Sequence, residues 1–131
     1  MDSNLIKSLF AKHPKPKHHF TYGTAGFRMD AGLLDSVAFS VGILAALRSK
    51  SHKGRTVGVM MTASHNPEND NGVKLVEPLG EMLDQDWEAY AMALANAESG
   101  EQLILNIHSI VEKQGIDLTQ PSIVVVGRDT R

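Results

Sequence analysis

The chain of 131 residues contains no cysteine, so neither a disulfide framework nor a thiolate metal site can form. It also lacks an excess of charge of either sign, because 13 basic and 15 acidic residues leave a formal net charge of −2. Such a balance provides no general attraction to nucleic acid or to an anionic membrane. We therefore expect neither of these partners, and the composition indicates no particular protein partner.

Long hydrophobic runs are also missing. We find no apolar stretch of about 18 residues and therefore expect no transmembrane helix. The first four residues, Met-Asp-Ser-Asn, lack the basic start and apolar centre of a secretory signal, so a cytoplasmic location is expected. With 42% hydrophobic and 21% charged residues the chain has the composition of a globular protein. Its length suits a single domain that buries about two-thirds of its unfolded surface.

Four segments of the sequence carry apolar residues at helical spacing. The predicted helices cover residues 3–12, 34–50, 87–94 and 103–111. Arg48 and Lys50 suit the last turn of the second helix, because cations complement the dipole at a helix C-terminus. Gly100 is predicted to end the third helix and Gly115 to end the fourth.

Short apolar runs between these helices predict strands. They cover residues 56–62, 72–76 and 122–126, after an extended piece at 20–28. The run at 56–62 shows no alternation, which favours a strand covered on both faces. Together the elements predict an α/β fold with a mixed, mostly parallel sheet and flanking helices. Only five residues follow the last strand, where a crossover helix is usual, so we expect an incomplete domain that lacks an element to cover its sheet.

The most informative segment is residues 62–67 (Thr-Ala-Ser-His-Asn-Pro), which begins where the apolar run of a strand stops. A serine at the end of a buried strand is held on a rigid base with its hydroxyl outward. If it is phosphorylated, it needs nearby donors of the kind that His65, Asn66 and backbone amides provide. Ser64 is therefore a candidate phosphoryl carrier. The alternative is a Ser-His pair that only caps a turn, and a serine hydrolase is disfavoured because no Gly-x-Ser-x-Gly elbow is present.

Two further segments carry groups suited to phosphate. In residues 23–28 (Gly-Thr-Ala-Gly-Phe-Arg) the glycines allow close backbone approach or a positive φ, so that consecutive amides can face an anion. Arg28 offers a planar cation that matches a phosphate group. Lys74 follows on the strand that returns from the Ser64 segment, where it is a candidate general base for a sugar hydroxyl. The alternatives are a loop that only turns the chain and an exposed surface lysine.

Two groups of side chains invite interpretation as metal ligands. Three histidines lie in a stretch that two prolines hold extended, and we interpret it as an exposed connector because no further ligand is evident: His13, His18 and His19. Three acidic residues flank the Ser64 segment without the spacing of a calcium loop: Glu68, Asp70 and Glu77. We interpret these as solvated loop charges.

Taken together, the phosphate-handling segments resemble the α-D-phosphohexomutase family. The matching segments occur in that family's order and span nearly the whole chain: residues 23–28, 62–67, 71–74 (Asn-Gly-Val-Lys) and 127–131 (Gly-Arg-Asp-Thr-Arg). The run at 68–83 is similar to one branch of the family, which acts on N-acetylglucosamine phosphates. The resemblance implies that residues 1–131 form a phosphoserine-loop domain equivalent to part of the first of four domains.

The resemblance also implies an activity and roles for individual residues. Members of this branch interconvert N-acetylglucosamine 6-phosphate and 1-phosphate through a phosphoserine and a sugar bisphosphate, on the route to UDP-N-acetylglucosamine. By resemblance Ser64 is the phosphorylated residue, and His65 positions its phosphoryl group. Lys74 is the candidate general base, and Arg28 contacts phosphate. One Mg²⁺ is expected on an oxygen of the Ser64 phosphate.

The match to the family is partial. Its later metal loop with three aspartates, its sugar-selecting loop and its phosphate-binding domain have no counterpart in these residues. We therefore expect the chain not to catalyse turnover by itself. Two alternatives remain open: a non-enzymatic interaction module that pairs its sheet with a partner, and part of a mutase for glucose or mannose phosphates.

Overall fold

A computed structural model of the chain describes residues 2–24, 26–61 and 70–128, with the side chain of residue 70 excepted. The elements in chain order are α1 (Ser3–Lys12), β1 (Phe27–Asp30), a 3₁₀ turn (Ala31–Leu33), α2 (Leu34–Ser51), β2 (Thr56–Met61), β3 (Asp70–Val76), α3 (Gln85–Ala95), α4 (Gly100–Gln114) and β4 (Ile123–Arg128). The predicted helices and strands are confirmed. β1 overlaps the end of the extended piece predicted at 20–28 and continues to Asp30.

The four strands form one mixed sheet in the order β1-β3-β2-β4. β3 is antiparallel to both β1 and β2, whereas β4 is parallel to β2. The α/β class and the mixed sheet are confirmed, but one pairing of the three described is parallel, which is fewer than predicted. The reason is connectivity: β3 returns directly beside β2 and lies between β2 and β1, so these two strands, which are joined through α2 and point the same way, are not neighbours.

The helices lie on one side of this sheet. α2 contacts all four strands, α3 packs against α2, and α4 packs against both α3 and α1. Residues with no exposed surface line the contact between α2 and the sheet: Val37, Leu44, Phe27 and Val57. The hydrophobic core therefore lies between α2, the strands and the helices behind α2.

The central helix corrects one expectation. Residues 31–51 are long and apolar enough, by length and composition, to cross a membrane, although we expected no such stretch. The core helix of a globular domain has the same features, and the side chains of Val41 and Leu44 on α2 are buried in this core. Small and polar residues interrupt the apolar run, so the segment has a high mean hydropathy without an unbroken apolar stretch.

The opposite face of the sheet carries no helix in the part of the chain that the structure describes. Val57 and Val59 of β2 are buried on the α2 side, whereas Met60 points to the other face and is only partly buried. On that face Ile123 and Val125 of β4 are 52% and 57% exposed. We call this surface the open face. The prediction of a strand covered on both faces at 56–62 is therefore wrong within the described residues.

Local signals account for the ends of the last two helices. The Ser99 hydroxyl accepts a hydrogen bond from the Gln102 amide at 3.1 Å and caps the start of α4. Gly115 ends α4 with a φ of 59°, as predicted. Gly100 does not end α3 but begins α4, because α3 already stops at Asn96, whose side-chain amide donates to the Met92 carbonyl.

A buried serine joins α2 to two strands. The Ser49 hydroxyl donates to the Arg55 carbonyl at 2.7 Å and accepts from the Ile123 amide at 2.9 Å. The side chain has no exposed surface. By contrast, the buried Ser36 hydroxyl, also on α2, has no hydrogen-bond partner among the described residues. The two serines therefore differ in bonding but not in burial.

Replacing each of these serines by alanine is expected to change the stability of the chain to a different extent. Ser49→Ala should lower the free energy of unfolding by about 2 kcal/mol, because it leaves buried backbone groups without a partner. Ser36→Ala should leave that free energy unchanged or raise it by a few tenths of a kcal/mol, since alanine is the better helix former. Urea unfolding measures both values, and equal losses in the two variants would contradict the assignment.

Candidate functional site

Two of the four residues with assigned roles, Arg28 and Lys74, lie among the described residues. Ser64 and His65 lie outside them, together with the rest of residues 62–69 and residues 129–131. The structure therefore locates the cations predicted to act on phosphate, while the roles of Ser64 and His65 stay predictions.

Arg28 and Lys74 share the open face of the sheet. Arg28 pairs with Gly72 across β1 and β3, and Lys74 lies two residues further along β3. Because paired residues and every second residue of a strand share a face, both side chains project to the same side. Diagonal neighbours of this kind lie about 7–8 Å apart. Neither side chain forms an ion pair or hydrogen bond with another described residue, so both charges are available to an anion.

The attachment points of the Ser64 segment lie at one end of the sheet. β2 ends at Met61, and β3 begins at Asp70. Met61 pairs with Val73, and Val73 pairs on its other side with Phe27, the neighbour of Arg28. The two ends of the segment that contains the candidate phosphoserine therefore lie at the same end of the sheet as Arg28.

The glycine loop before β1 packs directly on the strand that carries Lys74. Gly23 and Gly26 exchange two backbone hydrogen bonds of 3.1 and 2.9 Å. Gly26 has a φ of +83°, and a Cβ atom there would lie 2.5 Å from the Val73 carbonyl oxygen and 2.6 Å from the Lys74 Cβ. The predicted close approach is therefore real, but it is to the protein backbone. The amides of Gly23 and Gly26 are already paired and do not face an anion, which corrects that part of the prediction.

Tyr22, which sequence reasoning missed, connects this loop to β3. Its hydroxyl accepts a hydrogen bond of 3.0 Å from the Leu75 amide, and its ring meets the Phe27 ring edge-on at 5.1 Å. Burial raises the pKa of Tyr22; the bond from Leu75 opposes this effect, and the negative charges of Glu88 and Glu77 add to it. The only signal in the sequence is an aromatic residue directly before the glycines.

A cavity of about 350 Å³ lies beside Lys74. Its walls are formed by the loop residues 22–24, by β3 at Lys74 and Leu75, and by the start of α3 at Gln85 and Glu88. Lys74 therefore borders a recess on the protein surface and is not enclosed in the core. This placement fits a side chain that has to reach a ligand.

Glu77 corrects the interpretation of the acidic residues as solvated charges. Its side chain is 8% exposed and accepts hydrogen bonds from Arg48 at 2.7 to 3.1 Å, from the Asp84 amide at 3.1 Å and from the His52 ring at 3.3 Å. Arg48 also lies over the Trp87 ring, 4.7 Å from its centroid. Glu77 therefore joins α2 to the segment before α3. Glu68 and the Asp70 side chain lie outside the described residues.

Two effects oppose each other on the Glu77 carboxyl. Burial alone would raise the pKa of Glu77. The hydrogen bonds from Arg48, Asp84 and His52, together with the charge of Arg48, outweigh burial and hold this pKa below its ordinary value. Glu77 therefore stays ionised in the folded chain at neutral pH.

The histidines of the connector contact neighbouring side chains. His13 contacts Asp35 at 2.9 Å and stacks on Phe39, while His18 contacts Phe20. Within residues 2–24, 26–61 and 70–128 no group of three or more potential ligand residues is placed to hold a metal ion. The interpretation of this stretch as a connector agrees with these contacts.

Comparison with known families now decides the affiliation. The family model "Phosphoglucomutase/phosphomannomutase, alpha/beta/alpha domain I" matches residues 34–102, just over half of the chain. The chain belongs to this family. Phosphoacetylglucosamine mutase of Candida albicans is 56% identical over 136 residues, which cover 96% of this chain and 25% of the Candida protein. The resemblance to phosphohexomutases is therefore confirmed.

Solved structures agree with this membership. N-acetylphosphoglucosamine mutase of Aspergillus fumigatus in complex with GlcNAc-6P and magnesium superposes with a TM-score of 0.87 at 50% identity, covering 98% of this chain and 23% of that one. A serine-to-alanine variant of that enzyme with glucose 1,6-bisphosphate gives a TM-score of 0.93 at 48% identity, covering 98% and 24%. This member of the phosphoglucomutase/phosphomannomutase family thus spans about a quarter of the length of the relatives it matches.

Proposed function

We propose that this chain supplies the phosphoryl-carrying serine and two phosphate-binding cations of a phosphoacetylglucosamine mutase. The reaction would interconvert N-acetylglucosamine 6-phosphate and 1-phosphate through a phosphoserine and a bisphosphate, in cytoplasmic synthesis of UDP-N-acetylglucosamine. The observation that carries the proposal is the 56% identity to such a mutase across 96% of the chain. Arg28 and Lys74, which share one face of the sheet and have no partner among the residues that the structure describes, support it.

The proposed chemistry transfers one phosphoryl group at a time. The bond between phosphorus and the Ser64 oxygen breaks while a bond to the sugar O1 forms, and Lys74 accepts the proton that this hydroxyl loses. The bound bisphosphate then turns over and returns its 6-phosphoryl group to Ser64. Arg28 neutralises phosphate charge, and His65 positions the phosphoryl group. Alignment and charge neutralisation of this kind provide most of the catalysis in phosphoryl transfer.

Magnesium enters the proposal only through Ser64. A bound Mg²⁺ neutralises charge on a phosphorylated serine. The described residues contain no set of side chains fit to hold the ion by themselves. By resemblance one phosphate oxygen of Ser64 would be a ligand, and the others would be the three aspartates of the family's metal loop, which has no counterpart in these residues. We therefore expect weak binding of Mg²⁺ by the chain alone, and we also propose that the chain alone does not turn over substrate.

A chimeric enzyme tests the proposal. This chain would replace the matching N-terminal quarter of the Candida albicans enzyme, and turnover of N-acetylglucosamine 6-phosphate would be measured. The chimera is expected to be active, and Ser64→Ala is expected to lower kcat by roughly 10³-fold or more, because the phosphoryl acceptor is lost. Ser109→Ala, on the exposed side of α4, is the matched control and should leave kcat within about twofold.

Two outcomes would overturn the proposal. One is a chimera that folds, as judged by circular dichroism, but shows no turnover. The other is a Ser64→Ala chimera with full activity. Turnover by the 131-residue chain alone would contradict the narrower statement that it is inactive by itself.

The open face favours a second candidate function, a non-enzymatic interaction module. Ile123 and Val125 expose more than half of their surface there, and apolar residues grouped on a surface often mark an interface. This function predicts association that Val125→Lys abolishes and Ser64→Ala leaves intact. Sedimentation of the chain with and without these substitutions distinguishes it from the mutase proposal.

A further inference from the structure

β3, the strand that carries Lys74, pairs with β1 only as far as Val73, the residue before Lys74. β1 pairs with β3 from Asp70 to Val73 and goes no further, whereas β2 pairs with β3 from Val73 to Val76. Beyond Val73 no regular strand lies along the outer edge of β3 among the described residues, and the next backbone partner on that edge is the isolated bridge from Val76 to Met82. Leu75, the residue after Lys74, is 1% exposed, so its outward amide needs an acceptor other than water.

Tyr22 provides that acceptor. Its hydroxyl lies 3.0 Å from the Leu75 amide nitrogen, in a position where a continuing strand would have placed a carbonyl oxygen. The tyrosine ring is 7% exposed and meets the Phe27 ring edge-on at 5.1 Å. Phe27 directly precedes Arg28. One side chain thus contacts the neighbours of both cations, Leu75 beside Lys74 and Phe27 beside Arg28.

We propose that Tyr22 is a positioning residue that sets the spacing between Arg28 and Lys74. Its hydroxyl holds β3 at Leu75, and its ring holds β1 at Phe27, so that the two strands cannot shift relative to each other at the level of the cations. The role in catalysis rests on the proposed function, because the spacing matters to a phosphosugar held between these two charges. The structural part of the proposal stands on the contacts alone.

The contact with Gly26 explains why a second anchor is needed. Gly26 packs against the backbone of Lys74 from the loop side but forms no hydrogen bond with it. Packing alone resists approach of the loop and β3, whereas the hydrogen bond to Leu75 resists their separation. Together the two contacts hold the Lys74 backbone from both directions.

The test compares the only two tyrosines of the chain. Tyr22→Phe removes the hydroxyl and keeps the ring. Tyr90→Phe is the matched control, because the Tyr90 hydroxyl bonds Gln114 on the exposed surface of α3 and α4. The lysines of the full chain are labelled by reductive ¹³C-methylation, and the Lys74 signal is assigned by its loss in Lys74→Arg. Amide hydrogen exchange at Leu75 is followed in the same proteins.

Tyr22→Phe is expected to raise the exchange rate of the Leu75 amide at least tenfold and to shift or broaden the Lys74 signal, while the Lys113 signal stays unchanged. Tyr90→Phe should alter neither. A folded Tyr22→Phe protein with an unchanged Lys74 signal would overturn the proposal. If Tyr22→Phe does not fold, 3,5-difluorotyrosine can be placed at position 22. It keeps both the ring and the hydroxyl but makes the hydroxyl oxygen a weaker hydrogen-bond acceptor, and it should shift the Lys74 signal by a smaller amount.

A kinetic measurement separates this proposal from the proposed function. In the chimera Tyr22→Phe should lower kcat at least tenfold and leave KM within about twofold. A simple loss of folded enzyme would also lower the apparent kcat, but it would lower the fraction of chains whose Ser64 can be phosphorylated at the same time. Unchanged kcat in an active chimera would overturn the catalytic role. If the unsubstituted chimera is inactive, the mutase proposal fails, and the Lys74 signal still decides the positioning.

Discussion

Gly26→Ala is expected to lower the free energy of unfolding by about 3 kcal/mol or more. An alanine at a φ of +83° adopts a backbone conformation that costs about 1–2 kcal/mol. Its Cβ would also lie 2.5 Å from the Val73 carbonyl oxygen and 2.9 Å from the Lys74 Cα, so that backbone would have to move, which adds about 1–3 kcal/mol. Urea unfolding measures the sum.

Gly80 separates the two contributions. It has a similar φ of +88°, but nothing lies within 4 Å of an added Cβ. Gly80→Ala should therefore cost only the backbone part, about 1 kcal/mol. If both substitutions destabilise the chain equally, the close contact between the glycine loop and β3 does not exist as described. If Gly26→Ala alone also displaces the Lys74 signal, the loop positions that residue.

Glu77→Gln is expected to lower the free energy of unfolding by about 3 kcal/mol at neutral pH. The substitution keeps the size of the side chain but leaves the guanidinium of Arg48, 13% exposed, without its counter-charge. His52 also loses its charged neighbour. Glu81→Gln, in the same segment but exposed, is the matched control and should change the stability by less than about 0.5 kcal/mol.

The difference between wild type and Glu77→Gln should depend on pH in one direction. The pKa of Glu77 in the folded chain lies below the ordinary value of 4.5, so the unfolded chain takes up the proton first as the pH falls. The contribution of the carboxylate is therefore complete above about pH 4.5 and is lost as the pH falls through the folded pKa. Unfolding at a series of pH values measures this, and a difference that grows on acidification would contradict the assignment.

The sequence predicted the elements of this fold well where local chemistry decides them. Ser99 and Gly115 delimit α4 through a hydroxyl cap and a left-handed residue, both of which depend only on neighbouring backbone. Strand faces were predicted less well. The apolar run of β2 favoured burial on both sides, but burial depends on which elements cover the sheet, and the pattern of a single strand does not contain that information.

For the candidate site, the sequence indicated two cations but not the side chains that support the strands carrying them. Arg28 and Lys74 were identified by charge and motif, and the structure brings them to one face. The amides of the glycine loop were expected to face an anion, yet they pair with each other because a hairpin-like closure uses them first. Tyr22 and Glu77 were missed as supports, since their partners lie far away in sequence, at Leu75 and Arg48.

The contact of Arg48 with Trp87 gives the chain an internal optical reporter. Trp87 is the single tryptophan of the sequence, it is 2% exposed, and it lies against the guanidinium from α2 and the edge of the Tyr90 ring. Its fluorescence therefore senses the packing of α2 against α3, while the strands contain no indole. Emission recorded during unfolding should follow the helical side of the domain independently of signals that arise from the sheet.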